Sequence, residues 1–272
     1  LVTKIYNKSK LQESSFIAVG AYALHAIQKA ELKLGDYVSV IGLDLTGQLI
    51  AQLAKLSGCK VIGIDTNEQL LKKAQDLDLT ITLNPNTDDL EQEINYITYN
   101  KGTQCSFITK DLERTIKKTI SFSGHNSKVV LSSNYKDNSF YKHIYTKEIN
   151  FIHIPTFSEY YQHLSHSKSK NSLVVHHEKM MLFIKFLEEN LIKAKQLISY
   201  SIHIEKNAEA YQSIYKKNII SVIFNFLPKT SLEISKPQKK LSFFPAYKNK
   251  NIKIGVLGYD ENEANKLAPI LA

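Results

Sequence analysis

Only two cysteines, Cys59 and Cys105, occur in the 272-residue chain. A disulfide framework and a four-cysteine zinc site built from this chain alone are therefore excluded. Each lies in or beside an apolar, strand-like run, where cysteine behaves as a small hydrophobe. Such sparse usage fits a reducing compartment, and a cytoplasmic location is expected. No apolar run reaches the roughly 18–20 residues that a membrane span needs, so no membrane partner is expected. The opening "LVTKIYNKSK" lacks the apolar core of a secretory signal. It begins on Leu1 rather than Met, as a processed or truncated piece of something longer would. Neither an HExxH zinc spacing nor a G-x-S-x-G nucleophile elbow is present.

Charge of one sign is in excess, with a net +9. A polyanion site needs that charge clustered. Here the lysines are scattered, as in "LKK" (71–73), "IKK" (116–118), "YKK" (215–217) and "PQKK" (237–240). Zinc-finger spacing and an RNA-recognition octapeptide are both missing. The reading is a solvated basic surface and no nucleic-acid partner.

What the chain does have is alternation. Short β-branched runs occur at "YVSVIG" (37–42), "KVIGID" (60–65), "LTITLN" (79–84), "CSFITK" (105–110), "KVVLSS" (128–133) and "INFIHIP" (149–155). Between them, Leu49, Ile50, Leu53 and Leu56 repeat at helical spacing, as do Leu70, Leu71 and Ala74, and Leu90, Ile94 and Ile97. Asn67 before Glu68, Gly58 after the first crossover helix and Pro85 at the third fit as boundary signals. Apolar strands joined by crossover helices give a parallel sheet covered on both faces. Six strands with five crossovers predict an α/β, doubly wound (Rossmann) fold.

The flanks complete the organisation. Residues 13–36 read as a helix ending in a Gly-Asp turn, so 1–155 forms a helix plus a dinucleotide-binding domain. Residues 156–175 are polar and read as an exposed loop. The amphipathic "HHEKMMLFIKFLEENLIKAKQL" follows, then "ISYSIHIEK", "NAEAYQSIYKK" and "IISVIFNFL" as a strand–helix–strand tail, making 156–227 a completing module. Residues 228–250, with three prolines and many lysines, have linker composition. The stretch 251–272 restarts as strand, glycine turn and helix, the expected opening of a second Rossmann domain that continues beyond Ala272.

The turn after the first strand, "GLDLTG", concentrates the chemistry. In G-x-G-x-x-G the first glycine makes the turn, the second admits the pyrophosphate, and the third lets the helix pack closely. Gly42 and Gly47 fill the first and third roles, while Asp44 stands at the second. Asp65 follows Gly47 by 18 residues, near the usual spacing of about 20 for the acid on the adenine ribose. An acid there favours NAD over NADP, because a 2′-phosphate would meet a like charge. Asp44 opposes binding: two unit charges ~5 Å apart at an effective dielectric of ~20 repel by roughly 3 kcal/mol. The helix dipole returns only about 0.5–1 kcal/mol. "GVLGYDENE" repeats the pattern, with Asp260 at the second glycine after Gly258.

These residues carry a resemblance. "VGAYALHAIQKAELKLGDYVSVIGLDLTGQLIAQLAKLSGCKVIGIDTNEQLLKKAQDL" resembles the nucleotide-binding half of the medium-chain, zinc-type alcohol dehydrogenase superfamily. The likeness covers roughly residues 11–227. The restart at 251–272 is similar to the opening of the glucose–fructose oxidoreductase and inositol dehydrogenase family, so that the two together look like a two-module oxidoreductase. The resemblance implies that Gly42, Gly47 and Asp65 contact NAD, with the Leu45 and Thr46 amides near the pyrophosphate. It also implies hydride transfer to or from an alcohol or sugar carbon, and a homodimer paired at the edge strand "INFIHI". The family's β-rich catalytic domain, which carries its zinc ligands, has no counterpart here. No catalytic or metal residue can be carried over.

Other candidates read as structural. His176, His177 and Glu178 stand at an expected surface helix start and point to different faces. His163 and His166 lie in the polar loop; His25 and His203 read as packing or edge residues; Cys105 reads as core. Tyr160 and Tyr161 are candidates for lining the cleft, set against the common case of an exposed tyrosine. Two functions stay open: an NAD-dependent oxidoreductase fragment, favoured by Asp65, and a non-catalytic scaffold or interaction module, favoured by Asp44 and Asp260.

Overall fold

The structure, a computed structural model, describes residues 5–79, 81–110, 112–131, 147–166, 170–208, 219–225 and 254–257. The chain divides into two compact units, Leu1–Leu197 and Ile198–Ala272. In the first, a six-stranded sheet forms from β1 (Tyr37–Ile41), β2 (Lys60–Ile64), β3 (Ile81–Leu83), β4 (Thr103–Ile108), β5 (Ser123–Leu131) and β6 (Asn150–His153). Its order is β3-β2-β1-β4-β5-β6, with every neighbouring pair parallel. This is the doubly wound order, and its direction reverses between β1 and β4. β6 is one edge of the sheet.

The strand residues explain the sheet. Val38, Val40, Ile62, Ile64, Phe107 and Val129 are buried, as strands covered on both faces require. The polar exceptions pair: the Ser39 hydroxyl donates to Ser106 Oγ at 2.7 Å, and Thr103 Oγ1 lies 3.0 Å from the same atom. The crossovers α2 (Leu45–Leu56), α3 (Glu68–Asp76) and α4 (Leu90–Ile97) start on Asp44, Asn67 and Asp89, whose side chains each accept a first-turn amide. α5 (Leu112–Phe122) leads to β5. Ile94, Ile116, Ile120 and Phe122 pack on Ile62, Ile64 and Val129, each burial contributing roughly 1.5–3 kcal/mol.

Two expectations are corrected here. The helix predicted for 13–36 is shorter: a 3-10 turn at Glu13–Phe16 precedes α1 (Ile17–Ala30), and Glu31 stops it at φ +49°. Residues 156–175, predicted as an exposed loop, are largely helical, with α6 (Phe157–His166) followed by α7 (Lys170–Glu188). Their polarity misleads because they bury rings. Phe157 and Tyr160 stack edge-on against Tyr22 of α1, and the Tyr161 hydroxyl donates to Ala18 O at 2.7 Å. Packing of α7 on α1 holds residues up to Leu197 in the first unit.

The second unit pairs β7 (Tyr200–His203) parallel to β8 (Val222–Asn225), and β9 (Ile254–Leu257) antiparallel to β8. The parallel pair fits the expected strand–helix–strand tail, although residues 209–218 of that helix lie outside the described residues. So do the linker 228–250 and the turn at Gly258 and Asp260. Among the described residues, no helix is long and apolar enough to cross a membrane.

Candidate functional site

The crevice of an open α/β sheet lies beyond the carboxyl ends of its strands, where the order reverses. Gly42 leaves β1 at that point with φ +93°, a conformation L side chains rarely adopt. Its N–H donates to Ile64 O at 2.9 Å. From the end of β4, Thr109 Oγ1 donates to Gly42 O at 3.0 Å and occupies the space a Cβ on Gly42 would need. Gly47, in the first turn of α2, sits directly on the Gly42 carbonyl, with no room for a Cβ. Gln48 fixes the turn from behind, its amide donating to Leu43 O at 3.2 Å and Leu70 O at 3.1 Å. Leu45 is buried and Thr46 half-buried in the same helical turn.

Two carboxylates face this turn. Asp44 caps α2, and its Oδ1 accepts the Gly47 N–H at 2.9 Å. Burial pushes its carboxyl up to about 6; the Gly47 amide, the Lys110 charge and the Thr46 amide pull it down, and the charge of Asp65 raises it further. Asp65 is itself buried at 8% exposure. Its Oδ2 accepts the Leu43 N–H at 2.8 Å and its Oδ1 the Asn67 N–H at 2.9 Å, so it ties the end of β2 to the β1 turn. Each of its oxygens keeps one lone pair, enough for the two hydroxyls of a ribose. Lys110, exposed just beyond β4, supplies the opposite charge.

The structure thus brings Gly42, Leu45, Thr46, Gly47 and Asp65 together with Asp44. Sequence reasoning missed Thr109, Lys110 and Gln48. The end of a strand beside the expected switch point was the available signal for the first two. The other histidines and tyrosines gather elsewhere, between α1, α6 and α7. His176, expected at a surface helix start, is buried within α7 at 2% exposure, its Nδ1 3.2 Å from the Tyr160 hydroxyl. Tyr160 is 7% exposed rather than open to solvent. His25 stacks on Tyr160 at 4.9 Å, and its Nδ1 accepts from the buried Lys179 ammonium at 3.0 Å. Both cysteines are buried, as read. Among the described residues, no cluster of three or more His, Cys, Asp or Glu could hold a metal ion. A surface cavity of about 360 Å³, lined by Tyr37, Cys59, Lys60 and Leu79, lies at the opposite, amino ends of β1 and β2. The ligand crevice of this fold class lies at the other, carboxyl end of the strands.

Comparison with known proteins agrees with this geometry: residues 46–167 match the model of the zinc-binding dehydrogenases. This stretch, less than half of the chain, is similar to the zinc-binding dehydrogenase family. A zinc-type alcohol dehydrogenase-like protein of Haemophilus influenzae is 25% identical over 132 residues, which are 48% of this chain and 39% of that protein. The D-guloside 3-dehydrogenase of Escherichia coli is 34% identical over 82 residues, 30% of this chain and 23% of that one. The chain therefore aligns with well under half of either relative. In fold, an alcohol dehydrogenase of Escherichia coli solved with NADH superposes with a TM-score of 0.66 at 17% identity, covering 82% of this chain and 61% of that one.

Set against a nicotinamide dinucleotide, such as the NADH of that solved structure, the family crevice divides. At the adenosine end the residues fit: Asp65 stands at the end of β2 with lone pairs to spare. At the pyrophosphate they do not fit as the turn stands, because the Asp44 carboxylate already takes the Gly47 N–H.

Proposed function

We propose that the chain is the nucleotide-binding half of an NAD-dependent oxidoreductase that transfers hydride to or from an alcohol or sugar carbon. One observation carries the reading. A buried acid, Asp65, closes β2 within hydrogen-bond reach of a glycine turn at the switch point of a doubly wound sheet. Gly42 and Gly47 would let the chain pass close to the pyrophosphate, and Leu45 and Thr46 would offer their amides. Asp65 would take the ribose hydroxyls. The match of residues 46–167 to the model of the zinc-binding dehydrogenases supports the reaction class. A reducing, cytoplasmic setting and a homodimer joined along the β6 edge belong to the same reading. The β6 edge, which pairs on one side only among the described residues, supports the dimer, and the two free cysteines support the reducing setting.

The preference for NAD follows from charge. A 2′-phosphate ~5 Å from Asp65 at an effective dielectric of ~20 meets a repulsion of roughly 3 kcal/mol, about a hundredfold in affinity. Calorimetric titration of the full chain with NAD and with NADP tests this, with NAD expected to bind at least tenfold more tightly. Equal affinities would refute the role given to Asp65.

The second reading, a scaffold or interaction module that no longer takes cofactor, is favoured by the Asp44–Gly47 bond alone. The Asp44→Gly variant separates the two. Binding by the unchanged chain supports the oxidoreductase; binding only after the substitution supports the scaffold.

A further inference from the structure

We propose that Asp44 governs when the crevice accepts a dinucleotide: its carboxylate is a built-in occupant of the phosphate seat, and a dinucleotide enters only together with a proton taken up by that carboxylate. The inference rests on the nucleotide reading above and adds a control to the same site.

The amides of the first turn of α2 have no partner within the helix, and at a switch point they are what a phosphate would bind. Asp44 reaches them first. Its Oδ1 lies 2.9 Å from the Gly47 nitrogen, so the chain carries its own anion where the ligand's anion would go. Asn67 and Asp89 make the same kind of cap on α3 and α4. Of these three caps, that of Asp44 lies beside the reversal of strand order.

The charged groups facing it come from each neighbouring element. Asp65, at the end of β2, disfavours its charge, and Lys110, beyond β4, favours it. Burial outweighs the favourable contacts and holds the carboxyl near 6, within reach of ordinary pH. Protonation changes two things together. It removes the negative charge from the phosphate seat, and it turns Asp44 Oδ into a donor that can bond a phosphate oxygen. No covalent bond forms or breaks. One proton passes from solvent to the carboxylate as the ligand binds.

The test is calorimetry of oxidised NAD binding to the full chain at pH 5.5 and 7.5, with Asp44→Asn beside the unchanged protein. Asparagine keeps the cap but cannot take up the proton. With a carboxyl titrating at about 6, the unchanged chain should bind about 20-fold more tightly at pH 5.5 than at 7.5. At pH 7.5 it should absorb close to one proton, read from heats in two buffers of different ionisation enthalpy. Asp44→Asn should bind equally at both pH values and release or absorb none. The proposal is overturned, with the cofactor reading intact, when the unchanged chain binds equally at both pH values or Asp44→Asn keeps the pH dependence. Absence of binding by both proteins at both pH values overturns the cofactor reading as well. Asp44→Ser, another neutral cap, replaces asparagine where that variant fails to fold.

Discussion

Asp44→Asn should make the folded chain more stable at neutral pH, although it removes a charge from a helix N-terminus. The carboxyl is pushed up to about 6 in the fold from an ordinary value of 3.8. The fold therefore holds its proton more firmly than the unfolded chain does. A raised value means stability is fullest below about 4, where both states are protonated, and falls as pH rises through about 6. Two units of difference correspond to roughly 3 kcal/mol at most. Asn and Asp are equivalent as caps, and losing the charge–dipole attraction returns about 0.5–1 kcal/mol to the unchanged protein. The expected gain at pH 7.5 is thus about 1–3 kcal/mol, shrinking to nothing near pH 4. Urea unfolding at both pH values, followed by far-ultraviolet circular dichroism, reads the difference directly. A variant less stable than the parent at pH 7.5 would refute the reasoning, because the Gly47 and Thr46 amides would then outweigh burial.

The cluster between α1, α6 and α7 should make the protein acid-sensitive. Burial, with the charge of Lys179, lowers both His25 and His176 to about 4 from 6.5. The unfolded chain then takes up protons that the fold refuses, so stability is lost as pH falls from about 6.5 towards 4, on the order of 1–3 kcal/mol per histidine. In Asp44→Asn, where the opposing titration of that carboxyl is gone, a flat profile over that window would sink this account. Gly47→Ala should prevent the turn from closing, since a Cβ meets the Gly42 carbonyl. We expect a loss of about 3 kcal/mol or more, and an unchanged melting temperature would contradict it. Burial raises the Cys59 thiol to about 11 and raises that of Cys105 further. Neither should react with a thiol reagent at pH 8 until the chain unfolds; rapid labelling of the folded protein would show that they are accessible.

The sheet was legible because each of its strands is written as an apolar run of its own. Val38, Ile62, Phe107 and Val129 fall in separate runs, and Gly58, Asn67 and Pro85 punctuate them. Helix α6 and the start of α7 were hidden because they bury through aromatic rings and imidazoles rather than aliphatic carbons, whereas the rest of α7 was legible from its amphipathic run. Tyr160, Tyr161 and His176 count as polar in a periodicity search, yet each shields its ring while its polar atom is bonded. Within the site, spacing located Gly42, Gly47 and Asp65. It did not tell that Asp44 turns back onto its own helix, because capping geometry depends on a χ angle that no spacing records. Thr109 and Lys110 were illegible for a different reason. They reach the site through the pairing of β1 with β4, across 67 residues.

The claim at the centre is that the turn after β1, with the acid after β2, is where a nicotinamide dinucleotide binds. Backbone amide shifts measured as NAD is added at pH 5.5 test it most directly. The amides of Gly42, Leu43, Gly47 and Asn67 should move together and saturate together, since they line the turn or bond its two carboxylates. Saturating NAD that leaves those four unmoved, or shifts only residues such as Tyr37 and Lys60 at the opposite end of the sheet, would contradict it.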